Sequence, residues 1–147
     1  MKRQSGIGVI LLTVFSFLPC YAHHMAVVVD KDNNTGQVSS AQLAKIFKAE
    51  TKKWPDGRNV VLVMHKNSSQ EMLTLEHLNK MTGEEMKAFL DSHKGMVVLT
   101  DSDASVLEKV QSTPGAVGLV DVRNVDGKVK VLKVGGKLPG EDGYLPH

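Results

Sequence analysis

Short apolar runs spaced along the chain constrain its fold more than any other feature. "AVVV" (26–29), "VVLVM" (60–64) and "MVVL" (96–99) are continuous and rich in β-branched residues, the mark of strands buried on both faces. "TPGAVGLVDV" gives a fourth strand after a Pro114-Gly115 break, and "KVKVLKV" (128–134) alternates as a sheet-edge strand should. Between the runs the period changes from two to that of a helix. Leu43, Ile46 and Phe47 form one stripe; Met72, Leu75, Leu78 and Met81 a second; Met86, Phe89 and Leu90 a third; Val106, Leu107 and Val110 a fourth. Start signals precede each stripe: Ser40, then "SSQE" (68–71) and "TGEE" (82–85) with capping-box spacing, then "TDSDAS". Gly95 is placed to end the third helix, and Pro55-Asp56-Gly57 supplies a turn. "DKDNNTGQ" reads as a loop, and "GGKLPGEDGYLPH" is too rich in Gly and Pro to be regular. Strands alternating with helices predict an α/β three-layer sandwich. Its sheet is mainly parallel or mixed and five-stranded, flanked by about four helices, within one domain.

The first residues do not belong to that pattern. "MKRQSGIGVILLTVFSFLPCYA" has a basic start, an apolar stretch too short to span a bilayer, and small residues before Ala22. It reads as a signal peptide over 1–22, leaving a mature domain over 23–147 that is periplasmic or secreted and has no membrane span. The whole chain has 18 Lys and Arg against 16 Asp and Glu. Cleavage removes Lys2 and Arg3, so the mature charges balance. A neutral domain with few aromatic residues is not built for nucleic acid. Cys20, the single cysteine, lies in the signal segment, so neither disulfides nor thiol chemistry applies afterwards.

"MHKNSSQEM" (64–72) concentrates polar groups where a strand gives way to a helix. That junction falls at the carboxyl edge of the sheet, where open α/β folds place ligands. The first turn of a helix has unpaired N–H groups and a partial positive charge. Ser68 and Ser69 add hydroxyls, Asn67 an amide and Lys66 a full charge. Two readings follow. Ser68 caps the helix and Glu71 completes the box, or the segment holds an anion. The residues by themselves favour the cap.

Other chemistry has little support. His65, His77 and His93 lack metal-ligand spacing, and His23-His24 at the mature start has no third ligand for copper. No nucleophile elbow or Gly-rich phosphate loop follows a strand. Glu84-Glu85 is helix-start chemistry beside a positive dipole end. The expectation is a non-enzyme without metal, cofactor or catalytic residues.

Several segments together resemble a known family. "SSAQLAKIFKAETKKWPDGRNVVLVMHKNSSQEM" is similar to the start of the second lobe of phosphate-binding proteins of ABC transporters. "LEKVQSTPGAVGLVDV" is similar to a later segment of that lobe. The most specific pieces are Ile46-Phe47, Trp54 with Asp56-Gly57, and the run from Thr113 to Gly118. The resemblance covers about residues 26 to 134 and implies one lobe of a type II periplasmic binding protein. It implies phosphate or another small oxyanion as ligand, and an ABC permease or other envelope protein as partner. By position, His65 stands where the family has an arginine and Asn67 where it has an aspartate. Ser69 matches the family serine, while Gln70 and Glu71 replace Gly-Thr. The implied ligand-binding set is His65, Lys66, Asn67, Ser68, Ser69 and Gln70. An imidazole in place of a fixed bidentate guanidinium weakens anion binding. Glu71 adds negative charge unless it points away, and no loop of the other lobe is present. The expected function is therefore weak oxyanion binding, or binding completed by a partner. The alternative is a non-catalytic interaction module with an eroded ligand site.

Overall fold

A computed structural model describes residues 24–146. The expected signal peptide (1–22) and His23 lie outside the described residues. β1 (Met25–Asp30) is buried at all six positions. Val27 and Val29 enter one core, and Ala26 and Val28 the other. The run "AVVV" therefore has the two covered faces its composition requires. A short β2 (Gln37–Val38) leads into α1 (Ser40–Phe47). Its cap is Ser39 rather than Ser40: Gln42 N donates to Ser39 Oγ at 3.1 Å, and the Gln42 side chain accepts from Ser39 N at 2.8 Å. Ser39 wins because the residue three places on can return the bond.

β3 (Val61–His65), α2 (Ser69–Asn79), α3 (Gly83–Ser92), β4 (Val97–Thr100) and α4 (Asp103–Ser112) follow. The Thr82 box forms as the sequence predicts, with Glu85 accepting from Thr82 N at 2.7 Å. α3 ends at His93, before Gly95, where the His93 amide closes on the carbonyls of Phe89 and Leu90. β5 (Ala116–Asp121) and a short 3-10 turn (Val122–Asn124) complete the second half. "KVKVLKV" is not one strand but two, β6 (Val129–Val131) and β7 (Lys133–Val134). Between them Leu132 is fully buried, and β7 leaves the main sheet to pair in parallel with β2.

The five-stranded sheet has the order β4-β3-β5-β1-β6. β4, β3 and β5 run parallel, while β1 is antiparallel to both its neighbours, β5 and β6. The sheet is thus mixed. Leu43, Ile46 and Phe47 of α1, Leu75 and Leu78 of α2, and Met86 and Phe89 of α3 join the core on one face. Val106, Leu107 and Val110 of α4 cover the other. Full burial of each such side chain contributes roughly 1.5–3 kcal/mol. Gly118 lets α4 lie close, since a Cβ there would come within 2.7 Å of Val106.

At the end of the sheet where β3 and β5 begin, a latch ties three segments together. Trp54 Nε1 donates to the Gly115 carbonyl at 2.8 Å, and Gly115 N donates to Asp30 Oδ1 at 3.2 Å. Arg58 donates to Asp30 Oδ2 at 2.8 Å and also pairs with Asp56. Gly115 has a φ of +81°, and a Cβ there would fall 2.0 Å from the Asn59 carbonyl oxygen. The described part of the tail (135–146) forms no helix or strand, as its composition implies, yet Tyr144 and Leu145 are buried. The Tyr144 hydroxyl accepts from Val27 N at 3.1 Å and donates to the Leu132 carbonyl at 2.6 Å.

Among the described residues no helix is long and apolar enough to cross a membrane.

Candidate functional site

β3 and β4 are parallel neighbours in register, with His65 beside Thr100. Each is followed at once by a serine-capped helix, so the N-termini of α2 and α4 meet at the same edge. A cavity of about 490 Å³ lies there. His65, Asn67, Ser68, Ser69 and Gln70 all line it. Lys66 does not; it is exposed, with its amide bound to the Thr100 carbonyl at 2.9 Å. Five of the six residues that the resemblance implied therefore share one cavity.

Ser68 caps α2 by accepting from Glu71 N at 3.1 Å. The other half of the expected box is absent. The Glu71 carboxylate does not return to the Ser68 amide, which instead donates to the His65 carbonyl. It turns inward, fully buried, and accepts from His65 N at 3.1 and 3.2 Å. Burial pushes the Glu71 carboxyl well above its ordinary range; the His65 amide opposes that rise and the charge of Asp103 adds to it. A local box is worth less here than pairing a strand-end N–H that the fold would otherwise bury unpaired.

Opposite α2, Asp103 gathers three donors. His65 Nδ1 lies 3.2 Å from Asp103 Oδ1. Asp103 Oδ2 accepts from Asp121 N at 3.0 Å and from Asn124 Nδ2 at 2.9 Å. Asp101 and Asp121 also line the cavity, and the Asp121 side chain pairs with Arg123. None of these acids was among the sequence-derived site residues. "TDSDAS" reads locally as a helix cap, and only the pairing of β3 with β4 brings it beside "MHKNSSQEM". A sequence signal did exist, in the repeat of strand followed by serine cap. The strand order needed to use it was not readable.

The edge thus combines opposed tendencies. The amides of Ser69 and Gln70 have no hydrogen-bond partner among the described residues, and the Ser68 hydroxyl retains its proton to donate. A helix N-terminus offers an anion about 0.3–1 kcal/mol. Carboxylates on the same rim oppose an anion by like-charge repulsion. Three aspartates line the same cavity as this helix end, and one of them, Asp121, is paired with Arg123. His77 is exposed on α2, and His93 stacks on Phe89 with ring centroids 4.4 Å apart. Among the described residues no group of three His, Cys, Asp or Glu side chains could hold a metal ion.

A model of the PBP superfamily domain matches residues 5–142. The chain belongs to the PBP superfamily. Solved structures agree on the fold. This PBP-superfamily chain is 21% identical to an ABC-type phosphate transport receptor from Vibrio cholerae, with a TM-score of 0.66 over 79% of this chain and 48% of that one. PstS from Borrelia burgdorferi matches at 21% identity and a TM-score of 0.62, over 79% of this chain and 49% of that one. A phosphate-binding protein from Stenotrophomonas maltophilia matches at 16% and 0.61, over 80% and 40%. The chain spans about half the length of these proteins or less, so the described domain has the fold of one lobe. At such identities the likeness is one of fold. No curated protein sequence matches the chain.

Proposed function

We propose that the chain is a non-catalytic solute-binding lobe of the cell envelope. In this reading it takes phosphate or a similar small oxyanion weakly, or with a partner that supplies the missing wall. The observation that carries the proposal is the start of α2. Its free first-turn amides and the Ser68 and Ser69 hydroxyls border an open cavity at the carboxyl edge of β3. The solved structures with this fold include phosphate transport receptors, which supports phosphate as the first ligand to try. Periplasmic or secreted placement rests on the signal-like reading of residues 1–22. An ABC permease or another envelope protein is the corresponding partner.

Weakness follows from the same geometry. The described lobe leaves this cavity open on one side, far from the 70–90% burial of enclosed small-molecule sites. Calorimetric titration with phosphate, sulfate and molybdate tests the reading, with dissociation constants of about 1 mM expected, the low end of specific affinity. Glu71→Gln should tighten phosphate binding. No heat from either form at millimolar anion would sink the oxyanion reading.

A second reading has its own support. Glu71 occupies the His65 amide and three aspartates face the cavity, as suits an interaction module whose ligand chemistry has eroded. The silent titration just described is the outcome this reading expects.

A further inference from the structure

His65 ends β3 and lines the cavity at the start of α2. Its Nδ1 is held 3.2 Å from Asp103 Oδ1, at the start of α4. Asp103 Oδ2 already accepts from two donors, the Asp121 amide and the Asn124 side chain. A carboxylate can only accept, so Nδ1 carries the proton of the neutral ring and Nε2 keeps the lone pair. Nε2 has no hydrogen-bond partner among the described residues, and it is the nitrogen left to meet a ligand. Asp101, in the turn before α4, lines the same cavity, and its carboxylate also lacks a partner among the described residues. The other charged groups around the ring are committed or turned away. Asp121 pairs with Arg123, the Glu71 carboxyl accepts from the His65 backbone amide, and Lys66 is exposed outside the cavity. His24 lies beside Gln70 in a small adjoining cavity.

We propose that His65, positioned by Asp103, is a proton-operated selector of the anion this cavity takes. Neutral, its Nε2 lone pair accepts an O–H and so favours an oxyanion that carries a proton, such as hydrogen phosphate. Sulfate has no proton to give, and it meets only a lone pair and the Asp101 carboxylate. Protonated, the ring donates from Nε2 and adds a positive charge to the cavity, so both anions are held. A guanidinium at this position is always charged and only donates, and it could not discriminate in this way. The inference rests on the oxyanion reading and states which oxyanion the site takes and at what pH. It also gives the carboxylates a use, since Asp101 is a second acceptor for a ligand O–H and repels an anion that has none. Histidine changes charge between about pH 5 and 8, and phosphate keeps at least one O–H throughout that range.

NMR of the purified protein at constant ionic strength supplies both halves of the test. Long-range nitrogen–proton spectra of the His65 ring should show the Nδ1–H tautomer at about pH 8, with no anion added. Chemical-shift titrations with sodium phosphate and sodium sulfate should give phosphate about tenfold the tighter at that pH, the worth of one hydrogen bond to a charged group. The preference should shrink about fivefold or more at about pH 5, chiefly through a gain in sulfate affinity. Asp103→Asn can keep both Oδ2 bonds with its amide oxygen and turn its NH2 to Nδ1, which moves the ring proton to Nε2. Its phosphate preference at about pH 8 should fall about threefold or more, whereas mere loss of a negative charge would help both anions alike. His65→Gln cannot change charge and should lose the dependence of the preference on pH; His24→Gln should keep it. If Asp103→Asn does not give a native spectrum, His65→Gln carries the test. An Nε2–H tautomer in the wild type at about pH 8 would overturn the selector, as would anion binding whose preference is the same at both pH values. Silence with both anions at about 20 mM, far above a millimolar constant, would overturn the oxyanion reading and the selector together.

Discussion

The two ends of the central sheet are built on opposite principles. Where β3 and β5 begin, every polar group of the latch is answered. Asp30 takes the Gly115 amide and the Arg58 guanidinium, and Trp54 takes the Gly115 carbonyl. Where β3 and β4 finish, aspartates face an open cavity and α2 presents unpaired amides. Of the residues that made the family recognisable, Trp54, Asp56-Gly57 and Pro114-Gly115 belong to the closed end or adjoin it, while Ile46-Phe47 of α1 packs in the core. Those that depart from the family's pattern, His65, Asn67, Gln70 and Glu71, belong to the open end. Similarity here reports on what keeps the lobe folded. It says much less about what the lobe holds.

The sharpest way to break this contrast is Gly115→Ala. The new Cβ would meet the Asn59 carbonyl oxygen at 2.0 Å, and φ of +81° already disfavours any side chain. A loss of about 4 kcal/mol or more is expected, which places the change among the most disruptive single substitutions. Chemical denaturation should show a collapsed midpoint; a loss under about 1 kcal/mol, the average for point mutants, would mean that the latch is dispensable.

Tyr144→Phe comes next. It leaves the Val27 amide and the Leu132 carbonyl without their buried partner, a cost of about 1–3 kcal/mol. Burial, only partly opposed by the Val27 amide, pushes the phenol from 10 up to about 12. The folded state therefore holds that proton more tightly than the unfolded chain. Wild-type stability should fall as pH rises from 10 through about 12, and the Phe variant should lose that component of the slope. Thermal melts across this range decide it, and parallel curves for the two proteins would count against it.

The smallest expected effect sharpens the open end. Glu71→Gln keeps an acceptor for the His65 amide and removes a buried titratable carboxyl. Because the folded-state pKa of Glu71 is raised, its contribution is greatest below 4.5 and is lost as pH climbs through the elevated value. The variant should melt a few degrees higher at neutral pH, about what 1 kcal/mol gives a domain of this size. It should also show a flatter melting profile as pH rises above 4.5. A lower melting temperature at neutral pH would show that the ionised carboxylate stabilises the strand end.

Much of the architecture was legible locally. β-branched runs and helical stripes, each spaced by its own backbone period, located the major strands and the four helices of the described residues within a few residues. They also located the serine-rich start of α2. Local pattern failed where a distant contact decided the outcome. "KVKVLKV" divides because Leu132 is pulled into the core between Val27 and Tyr144. The Ser68 box loses its glutamate because the His65 amide is the more costly group to leave unpaired. The sequence alone determined that strands and helices alternate and that hydroxyls crowd the turn after β3, since both depend on neighbours along the chain. Only the tertiary structure decided that β1 runs antiparallel and that Asp101, Asp103 and Asp121 surround that turn. Sheet order is fixed by how faces are buried together, and charges remote in the chain meet only once it is set.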